Sequence, residues 1–172
     1  MSKPLRWNGY GMKIRYIHAG YGLEPELDHI AVPAESEKRL RGMADKLVGT
    51  EGLIAIYVPL TTPEIYGGAM PMRGKIVGAV KLLPMPTGRN VRDYYFEDWT
   101  DGKRRWPVGW PCEVVLYPRP EARFDLKPVV ELVHGAGQFS AYAGRFQSGP
   151  IDVTPDLGAR LLQRLAPYPR SR

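Results

Sequence analysis

Sulfur and imidazole are scarce in this chain. Its 172 residues include one cysteine, Cys112, and three histidines, His18, His29 and His134. A single cysteine excludes an intrachain disulfide framework and fits a reducing compartment. Cys112 opens the apolar run Cys112-Glu113-Val114-Val115-Leu116-Tyr117 and reads as a small buried hydrophobe with no redox role. No Cys-x-x-Cys or His-x-x-x-His spacing occurs, so neither structural zinc nor any other cofactor is expected. Also missing are a Gly-x-Ser-x-Gly elbow, a phosphate-binding loop and a Gly-x-Gly-x-x-Gly fingerprint. Gly135-Ala136-Gly137 lacks the third glycine of that fingerprint and reads as a tight turn. No run approaches the ~18 apolar residues of a membrane span, and the N-terminus lacks the apolar centre of a signal peptide. The expectation is a cytoplasmic protein. No internal repeat is visible.

What is present is the composition of one folded domain, 44% apolar and 24% charged, with a formal net charge of +6. Residues 1–11 read as a tail that orders only if Trp7 or Tyr10 docks, residues 12–166 as a single domain, and residues 167–172 as a C-terminal tail. Met12, Ile14, Tyr16 and His18 alternate with Lys13, Arg15 and Ile17 in a first strand. Gly20, Gly22, Pro25 and Pro33 break residues 19–34 into a loop. Leu40, Met43, Ala44 and Leu47 then predict one amphipathic helix over 35–48, with Ser36 as N-cap and Gly49 as terminator.

The unbroken apolar run Leu53 to Val58 predicts a central strand buried on both faces. Lys75 to Leu83 predicts another, with Gly78 marking a bulge or a close backbone approach. Further strands are expected at Cys112 to Tyr117, at Val129 to Val133 and around Gln138-Phe139-Ser140. Thr154 as N-cap, Pro155 at the first helical position and Leu157, Leu161, Leu162 and Leu165 on one face predict a closing helix. Strands clustered between two helices favour an α+β fold, a small curved mixed β-sheet or open β-barrel flanked by helices.

Residues 84–111 have a biased composition. They hold Arg89, Arg92, Lys103, Arg104 and Arg105 beside Tyr94, Tyr95, Phe96, Trp99, Trp106 and Trp110, three of the four tryptophans. Aromatic faces interleaved with basic side chains are what single bases and their phosphates require, each stacked base contributing ~1–3 kcal/mol. Packing of the tryptophans as core or as a lid over the barrel's open end is the competing interpretation.

Two stretches, Gly74-Lys75-Ile76-Val77-Gly78-Ala79-Val80 and Arg105-Trp106-Pro107-Val108-Gly109-Trp110-Pro111, resemble the PUA-like superfamily, specifically its EVE-like and ASCH-like group. The resemblance departs where the opening strand ends in His18-Ala19-Gly20-Tyr21 and where Gly49-Thr50-Glu51-Gly52 replaces the group's Gly-Asp turn. It implies a small flanked barrel that binds DNA or RNA, with a modified or flipped base held in an aromatic cleft. On that basis Trp99, Trp106 or Trp110 would stack on the base. His18, Tyr21 and Tyr57 would supply the pocket wall or hydrogen bonds, and Arg89, Arg92, Lys103, Arg104 and Arg105 would follow the phosphates. Two alternatives stand beside it. One is a small hydrolase or nucleotide-processing enzyme using a pair such as Glu113 and Lys75, with a metal-dependent variant around Asp125, Glu113 or Glu131. The other is a protein-interaction accessory domain.

Overall fold

The computed structural model describes residues 11–171; Trp7 and Tyr10 lie outside them. The frame follows from one strand, β3 (Gly52–Tyr57), which is buried along its whole length. Its period of two sends Leu53, Ala55 and Tyr57 into one apolar cluster, and Ile54, Ile56 and the following Val58 into another. Such a strand must be paired at both edges and covered on both faces. β1 (Lys13–Ala19) pairs with it in parallel and β4 (Lys75–Leu82) antiparallel. β4 continues to β5 (Val108–Leu116), and β5 to β2 (His29–Val32). β6 (Phe124–Asp125) pairs with the start of β4, and β7 (Ile151–Asp152) lies on the outer edge of β1. The order β2-β5-β4-β3-β1-β7 forms one mixed sheet, strongly curled into a half-barrel, and the architecture is compatible with the PUA-like fold.

At Gly78 β4 is closely approached by its neighbours. A side chain there would bring its Cβ within 2.6 Å of the Leu116 carbonyl oxygen and 2.4 Å of Leu23 Cδ2. The pairing register also shifts on both sides of it, between Ile56 and Tyr57 against β3 and between Ala79 and Val80 against β5. Bulge and close approach therefore coincide, as the lone glycine suggests.

α1 (Glu37–Leu47) covers one face of the sheet with Leu40, Met43, Ala44 and Leu47. α2 (Leu126–His134), α3 (Phe139–Gly144) and α4 (Pro155–Leu165) cover the other. α4 starts as its sequence indicates: Thr154 Oγ1 accepts the Leu157 N–H at 3.3 Å, and Leu157, Leu161 and Leu165 are fully buried.

Several local expectations are corrected. Val129 to Val133 is helical, because Leu126, Val129 and Val130 form the 3–4 spacing of a buried helix face that a five-residue apolar window cannot distinguish from a strand. Phe139 and Ser140 likewise open α3. β2 lies within the presumed loop 19–34, its own run too short to show a period. β5 begins at Val108, ahead of Pro111, whose carbonyl still accepts from Leu83 N–H at 3.0 Å. Ser36 makes no cap bond; its Oγ donates 3.0 Å to the Ser148 carbonyl, tying α1 to the segment after α3. The Gly135-Ala136-Gly137 stretch is a turn, with φ of +110° and +79° at its glycines. Residues 168–170 pair with the end of β5 through Tyr117 N–H to Tyr168 O and Arg170 N–H to Val115 O.

β1 also departs from strict alternation. Its register against β3 shifts between Ile14 and Tyr16, so Ile14 and Ile17 enter the helix-covered cluster while Tyr16 faces the α1 side. His18 follows Tyr16 on that side, and this orientation places it in the candidate site.

Candidate functional site

The helices leave the α1 side of the sheet incompletely covered, and a cleft of about 710 Å³ opens there. Its floor includes Ile30 and Ile56 of the sheet, and its walls come from the loop after β1, the segment before β4, the segment before β5 and the segment after α3, where Phe146 reaches it from the other face. The segment before β5 is a small hairpin. Phe96 and Trp106 form an isolated antiparallel bridge, and Asp98 N–H donates to Lys103 O at 2.7 Å. Its root rests on His29, whose ring stacks on Phe96 with centroids 4.2 Å apart and whose nitrogens lie 2.7 Å from Asp28 Oδ1 and 3.0 Å from the Tyr95 carbonyl.

Aromatic side chains run in continuous contact along the wall. Trp106 meets Tyr21 edge-on at 5.4 Å, Tyr21 meets Tyr66 at 4.2 Å, and Tyr66 meets Trp99 at 4.9 Å. Tyr66 is buried, whereas Trp99 is 70% exposed at the outer end. Asp98 fixes this ladder. Its Oδ1 accepts from Thr100 N–H, Thr100 Oγ1 and Tyr66 Oη, and its Oδ2 from Arg105 Nε at 2.8 Å. The Thr100 bonds, followed by those from Arg105 and Tyr66, hold its carboxyl below the usual carboxylate range. Tyr66 and Tyr21 are shifted the opposite way, first by burial and then by neighbouring negative charge, so both phenols remain neutral donors at physiological pH.

Two polar groups in the lining lack partners. His18 is half-buried, and its Nδ1 is buried without a hydrogen bond. Desolvation lowers its pKa to about 4, so the ring is neutral at physiological pH. Arg123 enters from the loop between β5 and β6. Its guanidinium carbon lies 5.6 Å from the Tyr117 ring centroid, its Nε is buried without an acceptor, and it forms no ion pair among the described residues.

Of the residues singled out from sequence, His18, Tyr21, Trp99 and Trp106 line the cleft. Tyr57 and Trp110 do not. Tyr57 belongs to the opposite face, stacked on Phe146 at 5.1 Å, because β3 alternation turns it away from Ile56. Trp110 lies within β5, packs on the α1-side core and donates its Nε1–H to the Leu83 carbonyl at 2.7 Å. The basic residues are not one equivalent set. Arg105 is held by Asp98 and Asp101, Arg104 lies 3.5 Å over the Tyr95 ring, and Arg92 is 3.8 Å from Glu37. Arg89 and Lys103 are exposed and form no ion pair among the described residues. Tyr66, Tyr117 and Arg123 were missed. An aromatic within the Pro-, Gly- and Met-rich stretch 59–72 was a signal for Tyr66; Arg123 offered none.

The pair Glu113 and Lys75 is not brought together. Glu113 stands opposite Lys81, while Lys75 pairs with Asp125 at the other end of β4, six residues or roughly 20 Å away at strand rise. Glu131 is occupied by the Gly137 N–H. Among the described residues no three His, Cys, Asp or Glu side chains converge on a point where a metal ion could sit. No protein-family model and no curated protein matches the chain.

Proposed function

We propose that the cleft holds a single unstacked base of a nucleic acid, modified or flipped from its helix, while the exposed cations of the neighbouring hairpin and loop contact the backbone. The observation that carries this reading is the aromatic ladder Trp106–Tyr21–Tyr66–Trp99 along one wall of an apolar cleft. A base needs flat apolar faces for stacking and a few fixed polar groups for its edge. A volume of about 710 Å³ lies within the ~300–1,000 Å³ of small-molecule sites and admits a nucleoside with its substituents. Trp99, the most exposed of the ladder, is placed to meet an arriving base first. His18, neutral and lacking a partner at Nδ1, presents its remaining nitrogen as the group that meets a base edge. Lys103 and Arg89, exposed and without an ion pair among the described residues, would contact phosphates, and Arg104 would do so from its stack on Tyr95.

Filter binding to single- and double-stranded DNA and RNA over a salt series tests the reading. Micromolar affinity at low salt, weakening as salt rises and reduced by Trp99→Ala, supports it. Absence of binding to every nucleic acid at low salt overturns it.

A further inference from the structure

We infer that the occupant of the cleft carries an anionic group, a carboxylate or a phosphate ester, and that this group pairs with Arg123. The inference rests on the base-binding reading and specifies the ligand's chemistry. A guanidinium half-withdrawn from water is costly unless a carboxylate or phosphate accepts from it, because its donors lie in a planar fork that matches such groups. The arginines of the aromatic hairpin show the usual solution: Arg105 is bound by two aspartates, and Arg104 is stacked on Tyr95 out in solvent. Of Arg73, Arg123 and Arg170, whose Nε atoms are all buried without an acceptor, only Arg123 lines the cleft, where it lies over the Tyr117 face.

The other charged groups of the lining are Glu24 and Glu97, both exposed, and neither pairs with Arg123. Their repulsion of an incoming anion is screened by solvent, whereas the Arg123 contact is made inside the cleft. His18 adds no opposing charge. A neutral base with a hydrogen-bonding edge would satisfy His18 but leave Arg123 without a counter-charge. An anionic substituent on the base, or the phosphate of its own nucleotide, satisfies both.

Calorimetric titration with three compounds separates the possibilities: the nucleoside 2′-deoxycytidine, its 5-carboxy derivative and its 5′-monophosphate. On the wild-type protein at least one anionic compound binds about tenfold tighter than the neutral parent. The compound that gains affinity identifies whether the anion is carried by the base or by the sugar. Arg123→Gln abolishes the preference, and Arg123→Lys retains part of it; an unchanged melting temperature shows that both variants fold. Should Arg123→Gln fail to fold, the wild-type ranking and Arg123→Lys decide. Equal binding of all three compounds, sensitive to Trp106→Ala but not to Arg123→Gln, overturns this inference and leaves the base-binding reading intact. No binding of any of the three compounds overturns both.

Discussion

The two faces of the curled sheet are built from the same strands but finished differently. The face under α2, α3 and α4 is closed: Leu126, Val130, Leu157, Leu161 and Leu165 are all fully buried against it. The face under α1 has a comparable apolar cluster but ends in a cleft walled by aromatic side chains, with the buried nitrogens His18 Nδ1 and Arg123 Nε left without partners. Neighbouring residues of one strand divide between them, Tyr57 into the closed face and Ile56 onto the cleft floor. Within a folded domain, unsatisfied polar groups and exposed aromatics are expected where a ligand completes the packing. Tyr142 Oη, in the closed face, is also buried without a partner, so the two faces differ in how completely they are covered, and the proposed binding rests on the open cleft and its aromatic wall.

Truncation of the closed face should have the largest effect on stability. Leu161→Ala, in α4, is expected to cost about 2–5 kcal/mol in chemical denaturation while leaving nucleic-acid affinity unchanged under native conditions. A loss of affinity in the folded variant would break the separation of the faces.

His18 provides a pH test of the open face. Its folded pKa of about 4 lies below the unfolded value near 6.5. Between these values the unfolded chain binds a proton that the native chain does not, so stability is fully present above about pH 6.5 and falls as the pH drops toward 4. The loss is at most roughly 3 kcal/mol, and His18→Phe should remove this part of the acid sensitivity. An unchanged pH dependence of denaturation in that variant would remove the argument for a desolvated ring.

The division between faces was only partly legible in the sequence. β3, β4, α1 and α4 carried their own signals: a doubly buried run, a lone glycine, a 3–4 apolar spacing and a Thr-Pro start. α2, α3 and β2 did not, because runs of four to nine residues take their form from what they pack against. The aromatic bias of residues 84–111 pointed to a segment of which Trp99 and Trp106 line the cleft. It could not exclude Trp110, since composition does not reveal that β5 begins at Val108 and carries Trp110 into the core. The carboxylates that occupy Arg105 lie in the same hairpin, yet only its fold brings Asp98 and Asp101 to the guanidinium.

Smaller effects should follow the distinction between exposed and occupied side chains. Trp99→Ala is expected to weaken single-strand binding by about 1–3 kcal/mol, with stability changed by less than about 0.5 kcal/mol. Lys103→Ala should lower the salt slope of binding by about one, whereas Arg105→Ala should leave that slope unchanged and weaken binding by freeing the hairpin from Asp98. Equal slopes lost in both variants would show that the Asp98 and Asp101 pairs do not withdraw Arg105 from phosphate contact.

The most direct measurement pairs two tryptophans that stand four residues apart in the chain but differ in role. Tryptophan-to-alanine variants at positions 106 and 110 would be compared for single-stranded nucleic-acid affinity and for melting temperature. The account predicts that Trp106→Ala loses about tenfold or more in affinity with little change in melting temperature. Trp110→Ala, which removes packing on the α1-side core and the bond to the Leu83 carbonyl, should lower the melting temperature and keep the affinity of the folded protein. The reverse pattern, with affinity lost at position 110 and retained at 106, would contradict it.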